Sequence, residues 1–411
     1  MNWRIGWVPF SALLIAQTAQ AQSVGYEETL AAARAEQPML EAGALRIQAR
    51  RDAADAADEL PDPRLRAGVM NLPVTGPAAF DPYGQLPTQL AVGVEQEIPN
   101  LARRRARSGV AGSEIGIAEA RLDLSERAIL VDAGTAWVSL YYAQQRLALA
   151  RDALDGLRDF VPVAVSAVAS GSARPAESLA IRRELLEIED AITRIEAARA
   201  AARARLERYI AESEPVAAGG APQVTVDPDG LRFALEANPE LRLADAEQRR
   251  AEAAADLARA EKRPDFGVSV TYGHRNPDFG SVVSVMGSVT LPIFTDRRQN
   301  PRIAAAEADA AAASAERVDR LRAIRAGFEA DLAAWRSALQ QWERARDQLL
   351  PLARDRAELE TASFAAGRAD LVDVIAAKSA LALLELEILE REQMAVEAAA
   401  TLRLTYGEDR P

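Results

Sequence analysis

The chain has 411 residues, a formal net charge of -12 and a sequence pI near 5.0. Its aromatic content is only 5%, and Ala, Arg, Glu and Leu dominate, a composition that favours long helices over a broad globular core. The acidic balance argues against a nucleic-acid partner, because phosphate binding needs a net basic face. The sequence contains no cysteine, which argues against disulfides and against a thiol for lipid attachment.

The N-terminal stretch has the features of a cleaved secretory signal. Arg4 precedes an apolar run from Ile5 to Ala16, and small residues occupy positions 19 and 21. We therefore predict a signal peptide over residues 1–21. An uncleaved anchor is the alternative, but the apolar run is shorter than the ~20 residues that a spanning helix needs. No other segment reaches that length without charges, so no transmembrane helix is expected.

The rest of the sequence is one unit written twice. The segment beginning at Pro38 aligns without gaps with the segment beginning at Pro239, and the match resumes after a connection that is longer in the first copy. Self-similarity of this kind indicates duplicated structure. We predict two repeats, at residues 22–213 and 231–411, joined by a linker at 214–230.

Each copy has the same order of predicted elements: a moderate helix, two short strands and two very long helices. Alternating apolar residues predict strands at about 64–72 and 88–98 in the first copy, and at about 265–274 and 281–293 in the second. One face of each strand is apolar, and the other is mostly small or polar.

This alternation has two interpretations. A membrane barrel strand is apolar outside and polar inside, and it needs ~9–11 residues to cross the bilayer, which each run supplies. A soluble, half-buried hairpin shows the same alternation. The strands alone therefore leave both alternatives open.

The long helices show the pattern of a coiled coil. Helix-compatible sequence continues with little interruption from Leu101 to about Ala169 and from Pro301 to about Ala366, and each segment would be ~100 Å long if straight. A seam that repeats every seven residues packs against a partner helix. We predict that such a seam is formed in the second copy by Val318, Leu321, Phe328, Leu332, Trp335, Leu339, Trp342 and Leu349.

A turn separates the two long helices in each copy, around Gly171 and Gly367, because glycine ends a helix readily. A carboxylate stands six residues beyond each glycine, Glu177 in the first copy and Asp373 in the second. An acid in the first turn of a helix also complements the helix dipole, so that alternative remains. We predict tip turns at about 168–178 and 364–374.

Together these residues resemble the TolC-like family of outer-membrane efflux channels. The resemblance rests on the signal, the duplicated order of elements, the joins "EQEIPN" and "LPIFTDRRQNPRIAAAEA", and the tip "FAAGRADLVDVIAA". The joins look most like those of the heavy-metal and cation efflux branch, in which a Gln-x-x-Pro stretch precedes Gly-Lys-Arg. Here Gln96 and Pro99 are present, but Ala102, Arg103 and Arg104 replace that tripeptide.

The resemblance implies a mainly α fold with a small β part. In it, a homotrimer combines four strands per subunit into a 12-stranded transmembrane β-barrel, and long coiled-coil helices form a periplasmic α-barrel. It implies a passive exit duct for drugs or metal cations in the outer membrane, joined to a periplasmic adaptor protein and an inner-membrane efflux pump. Independently, an open sheet edge in lipid costs several kcal/mol for each unpaired group, so spanning strands must oligomerise.

The resemblance also implies roles for individual residues. Asp373 matches an acid that contributes to the constriction at the periplasmic mouth, and Glu177 is the second candidate for that constriction. The tip residues expected to contact the adaptor are Gly171, Gly367, Arg368 and Leu371. The arginines expected at the membrane interface, near lipid phosphates or carboxylates, are Arg103, Arg104, Arg105, Arg297 and Arg298.

Two other classes of function are considered. A soluble periplasmic coiled-coil scaffold or adaptor would also have long helices, although adaptors carry one hairpin flanked by β-rich domains. The sequence has no phosphate-binding glycine loop that could supply energy, so the duct is expected to be passive. An enzyme is the third class of function. The single histidine, His274, has no cysteine or clustered acids of metal-ligand spacing around it. We therefore predict no enzyme activity, cofactor or metal site.

Overall fold

The computed structural model describes residues 23–35, 37–170, 174–211 and 213–407. The predicted signal peptide and the candidate Gly171 lie outside these residues. The described chain is mostly helical, with one four-stranded sheet and one two-stranded pair. The predicted fold class, mainly α with a small β part, is confirmed.

The described residues of the first half form three strands and five helices. In chain order they are β1 (Ser23–Val24), α1 (Tyr26–Ala35), α2 (Pro38–Ala57), β2 (Arg64–Met70), β3 (Gln89–Ile98), α3 (Leu101–Arg158), α4 (Val161–Ala169) and α5 (Pro175–Leu206). The predicted long helix therefore divides after Arg158. Pro162 lies in the first turn of α4, where its missing N–H would be unpaired in any case.

The second half repeats this order. Its elements are β4 (Val216–Ala217), α6 (Pro228–Ala234), α7 (Pro239–Ala260), β5 (Asp265–His274), β6 (Val282–Thr290), α8 (Gln299–Arg344), α9 (Leu350–Ala365) and α10 (Leu371–Tyr406). A π-helical turn joins α8 to α9, and in it the Leu350 N–H donates to the Ala345 carbonyl. Pro351 follows at once, and a proline ring clashes with the carbonyl four residues before it, so an uninterrupted α-helix is not possible here.

The described residues form two compact units. One, here called the sheet unit, comprises residues 37–128, 227–332 and 404–407, and it contains the four-stranded sheet. The other, the tip unit, comprises residues 23–35, 129–226 and 333–403. It contains the ends of the long helices and the parallel pair of β1 with β4.

The sheet has the strand order β2-β3-β5-β6, and every neighbouring pair is antiparallel. The central pair, β3 with β5, joins the two copies of the repeat. Its register places Val94 opposite Val270 and Ile98 opposite Phe266. The sheet thus has two edge strands, β2 and β6, with unpaired backbone groups along one side of each.

The core of the tip unit is formed by α3, α5 and α10. Trp137, Leu206 and Val396 belong to one buried cluster, and the Trp137 indole N–H donates to the Val24 carbonyl at 2.8 Å. A second cluster, nearer the turns, includes Ile188 and Ile375 among its buried members. Close packing of these helices is the source of most of their stability.

The seam predicted along α8 is buried only in part. Phe328 and Leu332 are fully buried, and the Phe328 ring meets the Tyr406 ring edge to face at 5.3 Å. Val318 and Leu349 are exposed in the single chain. None of the described helices is both long enough and apolar enough to cross a membrane.

Candidate functional site

One face of the four-stranded sheet is mostly apolar and exposed. The register aligns Leu65, Val94, Val270 and Val285 in one row across all four strands. The neighbouring rows on this face contain the exposed residues Val69, Leu90, Val92, Phe266, Val268, Tyr272, Val283 and Val289. Contiguous apolar patches of this kind mark a surface that is covered by a partner or by lipid.

The opposite face is polar and crowded. A Cβ atom at Gly93 would lie 2.5 Å from Thr271 Oγ1, and one at Gly267 would lie 2.6 Å from Ser288 Oγ. Glycine is therefore required where side chains of neighbouring strands converge. A cavity lined by residues of all four strands lies on this face. The sheet thus curves with its polar face inside and its apolar face outside.

Aromatic side chains lie near both ends of the apolar face. At one end the Tyr272 hydroxyl donates to Ser281 Oγ at 2.7 Å, and the Tyr83 ring meets the His274 ring edge to face. At the other end Phe266 and Phe294 are exposed. Two aromatic girdles that flank an apolar band are typical of membrane β-strands.

His274 itself is at the end of β5, with Nδ1 3.3 Å from Ser281 Oγ. Within the described part of the chain, no group of three or more histidine, cysteine or carboxylate residues is placed to hold a metal ion.

Asn100 holds the join between β3 and α3, and it is buried. Its side-chain oxygen accepts the Arg103 N–H at 2.9 Å and so caps α3, while its side-chain nitrogen donates to Asp265 at 2.9 Å. Arg103 Nη1 donates to the same carboxylate at 2.6 Å. One residue from the second repeat, Asp265, is thereby bound to the join of the first.

The candidate interface arginines fall into two groups. Arg103 and Arg104 have protein acceptors, because Arg104 Nε donates to the Asp58 carbonyl at 2.9 Å. The other three, Arg105, Arg297 and Arg298, are exposed, and none of them forms an ion pair with a carboxylate in the described residues. Only this second group has free guanidinium groups for a lipid phosphate.

The second tip turn is a well-defined helix end. Gly367 has a positive φ of 68°, its N–H donates to the Phe364 carbonyl at 2.9 Å, and the Arg368 N–H donates to the Ser363 carbonyl at 2.8 Å. This is a Schellman motif, which pairs the last carbonyls of α9. Arg368 is exposed, whereas Leu371 is 6% exposed and belongs to the core of the tip unit, so its side chain is not available to a partner.

Asp373 lies in the first turn of α10 and is exposed. Its carboxylate accepts the Asp370 N–H at 3.3 Å, and its own N–H donates to the Asp370 carbonyl at 3.1 Å. Asp373 therefore caps α10. In the first copy Glu177 occupies the first turn of α5 and is half-buried.

A chain of polar residues between α3 and α10 was not found from the sequence. Arg146 donates to Gln393 at 2.9 Å, Gln393 donates to Glu397 at 2.8 Å, and Ser139 donates to the same carboxylate at 2.6 Å. The signal that could have revealed it is the spacing of Gln393 and Glu397, four residues apart on one helix face.

Glu392 is a half-buried carboxyl group beside that chain. Burial raises the pKa of Glu392 above its ordinary value, and the Tyr142 hydroxyl and the Arg346 guanidinium offset part of this effect. Burial also raises the pKa of the Tyr142 hydroxyl, and the nearby Glu392 raises it further.

The chain is similar in sequence to one protein family and in structure to several solved proteins. Residues 231–408 match the family model described as outer membrane efflux protein. No curated protein sequence matches the chain. Among solved structures, a membrane protein from Pseudomonas aeruginosa has a TM-score of 0.80 at 16% identity, covering 93% of this chain and 90% of that one.

Two further solved structures are similar to the chain. CusC, described in terms of folding and transmembrane channel formation, has a TM-score of 0.80 at 15% identity, over 93% of this chain and 92% of that one. The CmeC outer membrane channel of Campylobacter jejuni has a TM-score of 0.76 at 11% identity, over 99% and 94%. At these identities the similarity establishes the fold.

Proposed function

We propose that the chain is a member of the TolC-like outer membrane efflux protein family, whose model its residues 231–408 match, and that it is the passive exit duct of a tripartite efflux system. Its location is the outer membrane, with its long helices in the periplasm. Members of the family are channels. We propose that this channel conducts drugs or metal cations delivered by an inner-membrane pump through a periplasmic adaptor.

The exposed apolar face of the sheet is the observation that carries this proposal. Rows such as that of Leu65, Val94, Val270 and Val285 extend across every strand, and aromatic residues stand near both ends. A face of this kind is stable when it meets lipid hydrocarbon, while the polar concave face meets water. The arrangement supports four strands that cross a membrane obliquely.

Assembly into a trimer follows from the open edges. β2 and β6 have unpaired N–H and C=O groups, and in lipid each unpaired group costs several kcal/mol. β2 and β5 run in one direction and β3 and β6 in the other. Pairing β6 of one copy with β2 of the next therefore continues the antiparallel order, and we propose that three copies close it into a 12-stranded barrel.

The ends of the long helices have the proposed roles of gate and adaptor contact. Asp373 and Glu177 are proposed to form the constriction at the periplasmic mouth, and the exposed turn at Gly367 and Arg368 is proposed to meet the adaptor. Gly171 keeps the same proposed role in the first copy. We further propose that residues 1–21 are the export signal of a chain built from two repeats.

The proposal is tested by two adjacent substitutions on β6. Val285 and Met286 are 72% and 66% exposed in the single chain, but they lie on the apolar and polar faces respectively. A lysine on the lipid face near the midplane costs ~2–4 kcal/mol, whereas one in a water-filled lumen is tolerated. Val285→Lys should therefore abolish recovery of the protein in outer-membrane fractions, and Met286→Lys should not.

Conductance gives the second readout. Wild-type protein reconstituted in planar lipid bilayers should open ion-conducting channels, and so should Met286→Lys. A water-soluble wild-type protein without channel activity would support the soluble scaffold instead. Equal membrane insertion of both variants would contradict the assignment of the Val285 face to lipid.

A further inference from the structure

The polar face of the sheet carries an unequal distribution of charge. β2 contributes Arg64 and Arg66 to this face, and β3 contributes Glu95 and Glu97. β5 contributes one charged residue, Asp265 at its first position, and that carboxylate is bound by Asn100 and Arg103. The described residues of β6 add none, because its positions on this face are occupied by Val282, Ser284, Met286, Ser288 and Thr290.

These four charges on β2 and β3 form a diagonal ladder. Arg64 lies directly opposite Glu95 in the register, but the ion pairs connect Arg66 with Glu95, and Arg64 Nη2 with Glu97 Oε2 at 3.9 Å. Both arginines lean in the same direction along the strands. Diagonal partners in an antiparallel pair are within reach of long side chains, so the register permits this arrangement.

The two signs of charge are not equally accessible. The side chains of Arg64 and Arg66 are each 70% exposed, whereas those of Glu97 and Glu95 are 46% and 28% exposed. One carboxylate oxygen of Glu95 is fully buried. A solute that passes over this face therefore meets the guanidinium groups before the carboxylates, although the ladder carries no net charge.

We propose that Arg64 and Arg66 form an anion-attracting belt in the lumen of the barrel, with Glu95 and Glu97 as the residues that position them. The inference rests on the proposed function, because this face lines a lumen only after three copies have closed. Exposed charges in a narrow bore with low-dielectric walls act strongly on passing ions. The belt selects for anionic groups on solutes, and it is separate from the acid Asp373 in the tip unit.

Reversal potentials in a salt gradient across a planar bilayer test the belt. The double variant Arg64→Gln, Arg66→Gln should raise the cation-to-anion permeability ratio at least ~2-fold over wild type, because the exposed positive charges are removed. The double variant Glu95→Gln, Glu97→Gln should shift the ratio in the opposite direction. Ser284→Gln, a neutral change on the same face, is the matched control and should leave the ratio unchanged.

The outcomes distinguish a failure of the proposed function from a failure of the belt. An absence of any wild-type current would overturn the proposed function. If the wild type conducts and both double variants have its permeability ratio, the belt alone is overturned. The ladder then only holds β2 against β3. The variant Arg64→Lys, Arg66→Lys keeps the charge, and it should retain the wild-type ratio; a ratio like that of the glutamine variant would also overturn the belt.

Discussion

Asp373 combines a helix cap with a proposed gate charge, and these two roles depend on different properties of its side chain. The cap needs an oxygen that accepts the Asp370 N–H. The gate needs a negative charge, since three carboxylates around one axis favour cations and hold them in a narrow bore. Asparagine keeps the oxygen and removes the charge, whereas alanine removes both.

We therefore expect Asp373→Asn to raise the single-channel conductance and to weaken block by multivalent cations, without loss of thermal stability. Asp373→Ala should change conductance in the same way, and it should also lose ~1 kcal/mol of stability through the missing cap. Glu358→Gln, an exposed neutralisation on α9, is the control for conductance. Wild-type conductance and block in Asp373→Asn would leave the residue as a cap only.

The half-buried carboxyl of Glu392 predicts a pH dependence of stability. Burial raises its folded-state pKa above the unfolded value of about 4.3, so the folded state is penalised as the pH rises from the unfolded pKa through the folded one. The penalty is complete once the pH exceeds the folded-state pKa. Glu392→Gln should thus raise the melting temperature at pH 8 by about 2 °C for each ~1 kcal/mol removed, and it should give no gain at pH 3.5.

Thermal unfolding of the purified protein in detergent measures this difference. Glu358→Gln again serves as the control, because its side chain is exposed on α9, and it should show no gain at either pH. A lower melting temperature for Glu392→Gln at pH 8 would contradict the prediction. That result would mean that the attraction of Arg346 outweighs the cost of burial.

At the scale of elements, the ends of helices depend on individual glycines. Gly367 adopts φ 68° to close the Schellman motif of α9, and a Cβ at this φ is strained even in open space. Gly156 lies within α3, is exposed, and would also find open space for a Cβ. The same substitution should therefore have opposite effects at the two sites.

Gly367→Ala should destabilise the tip by ~1 kcal/mol, and Gly156→Ala should stabilise its helix by ~0.5–1 kcal/mol. Amide hydrogen exchange should show faster exchange at Arg368 in the first variant and slower exchange around position 156 in the second. Equal effects of the two substitutions would mean that the left-handed conformation of Gly367 does not contribute to the turn.

Several elements could be predicted from the sequence because one local pattern determines each of them. The period-two alternation identified the strands and their apolar faces, and Gly367 marked the end of α9. Both breaks in the long helices also have a local cause, Pro162 and Pro351, and a closer reading of these prolines would have predicted them. A heptad pattern predicts a seam but does not say whether the partner helix belongs to the same chain. The sequence therefore did not reveal that the seam residue Val318 is exposed in the single chain.

Contacts between distant segments could not be predicted in the same way. The pairing of β3 with β5 joins the two repeats, and alternation alone does not identify the neighbour of a strand. The same register brings Asp265 to Asn100 and Arg103. For Arg103 the sequence analysis had left a lipid phosphate and a carboxylate open as partners. The charged ladder of β2 and β3 likewise depends on register and was not found.

At the scale of the whole molecule, closure of the sheet makes a prediction about how copies meet. Head-to-tail pairing of β6 with β2 is heterologous, so a ring of three uses every edge and leaves none open. A two-fold dimer would instead pair β2 with β2 or β6 with β6, and each copy would keep one open edge. The chain has no cysteine, so introduced cysteines report these contacts without background.

We expect a chain with Val285→Cys on β6 and one cysteine on the same face of β2, at Leu65, Ala67 or Val69, to form covalent dimers and trimers but nothing larger. At least one of the three positions should bring the Cβ atoms within the ~3.5–4.5 Å that a disulfide needs. Pairing Val285→Cys with Gly68→Cys should fail, because those side chains lie on opposite faces. Gel electrophoresis without reductant distinguishes the products. Covalent dimers from the single variant Val285→Cys would indicate two-fold pairing and contradict a closed ring of three.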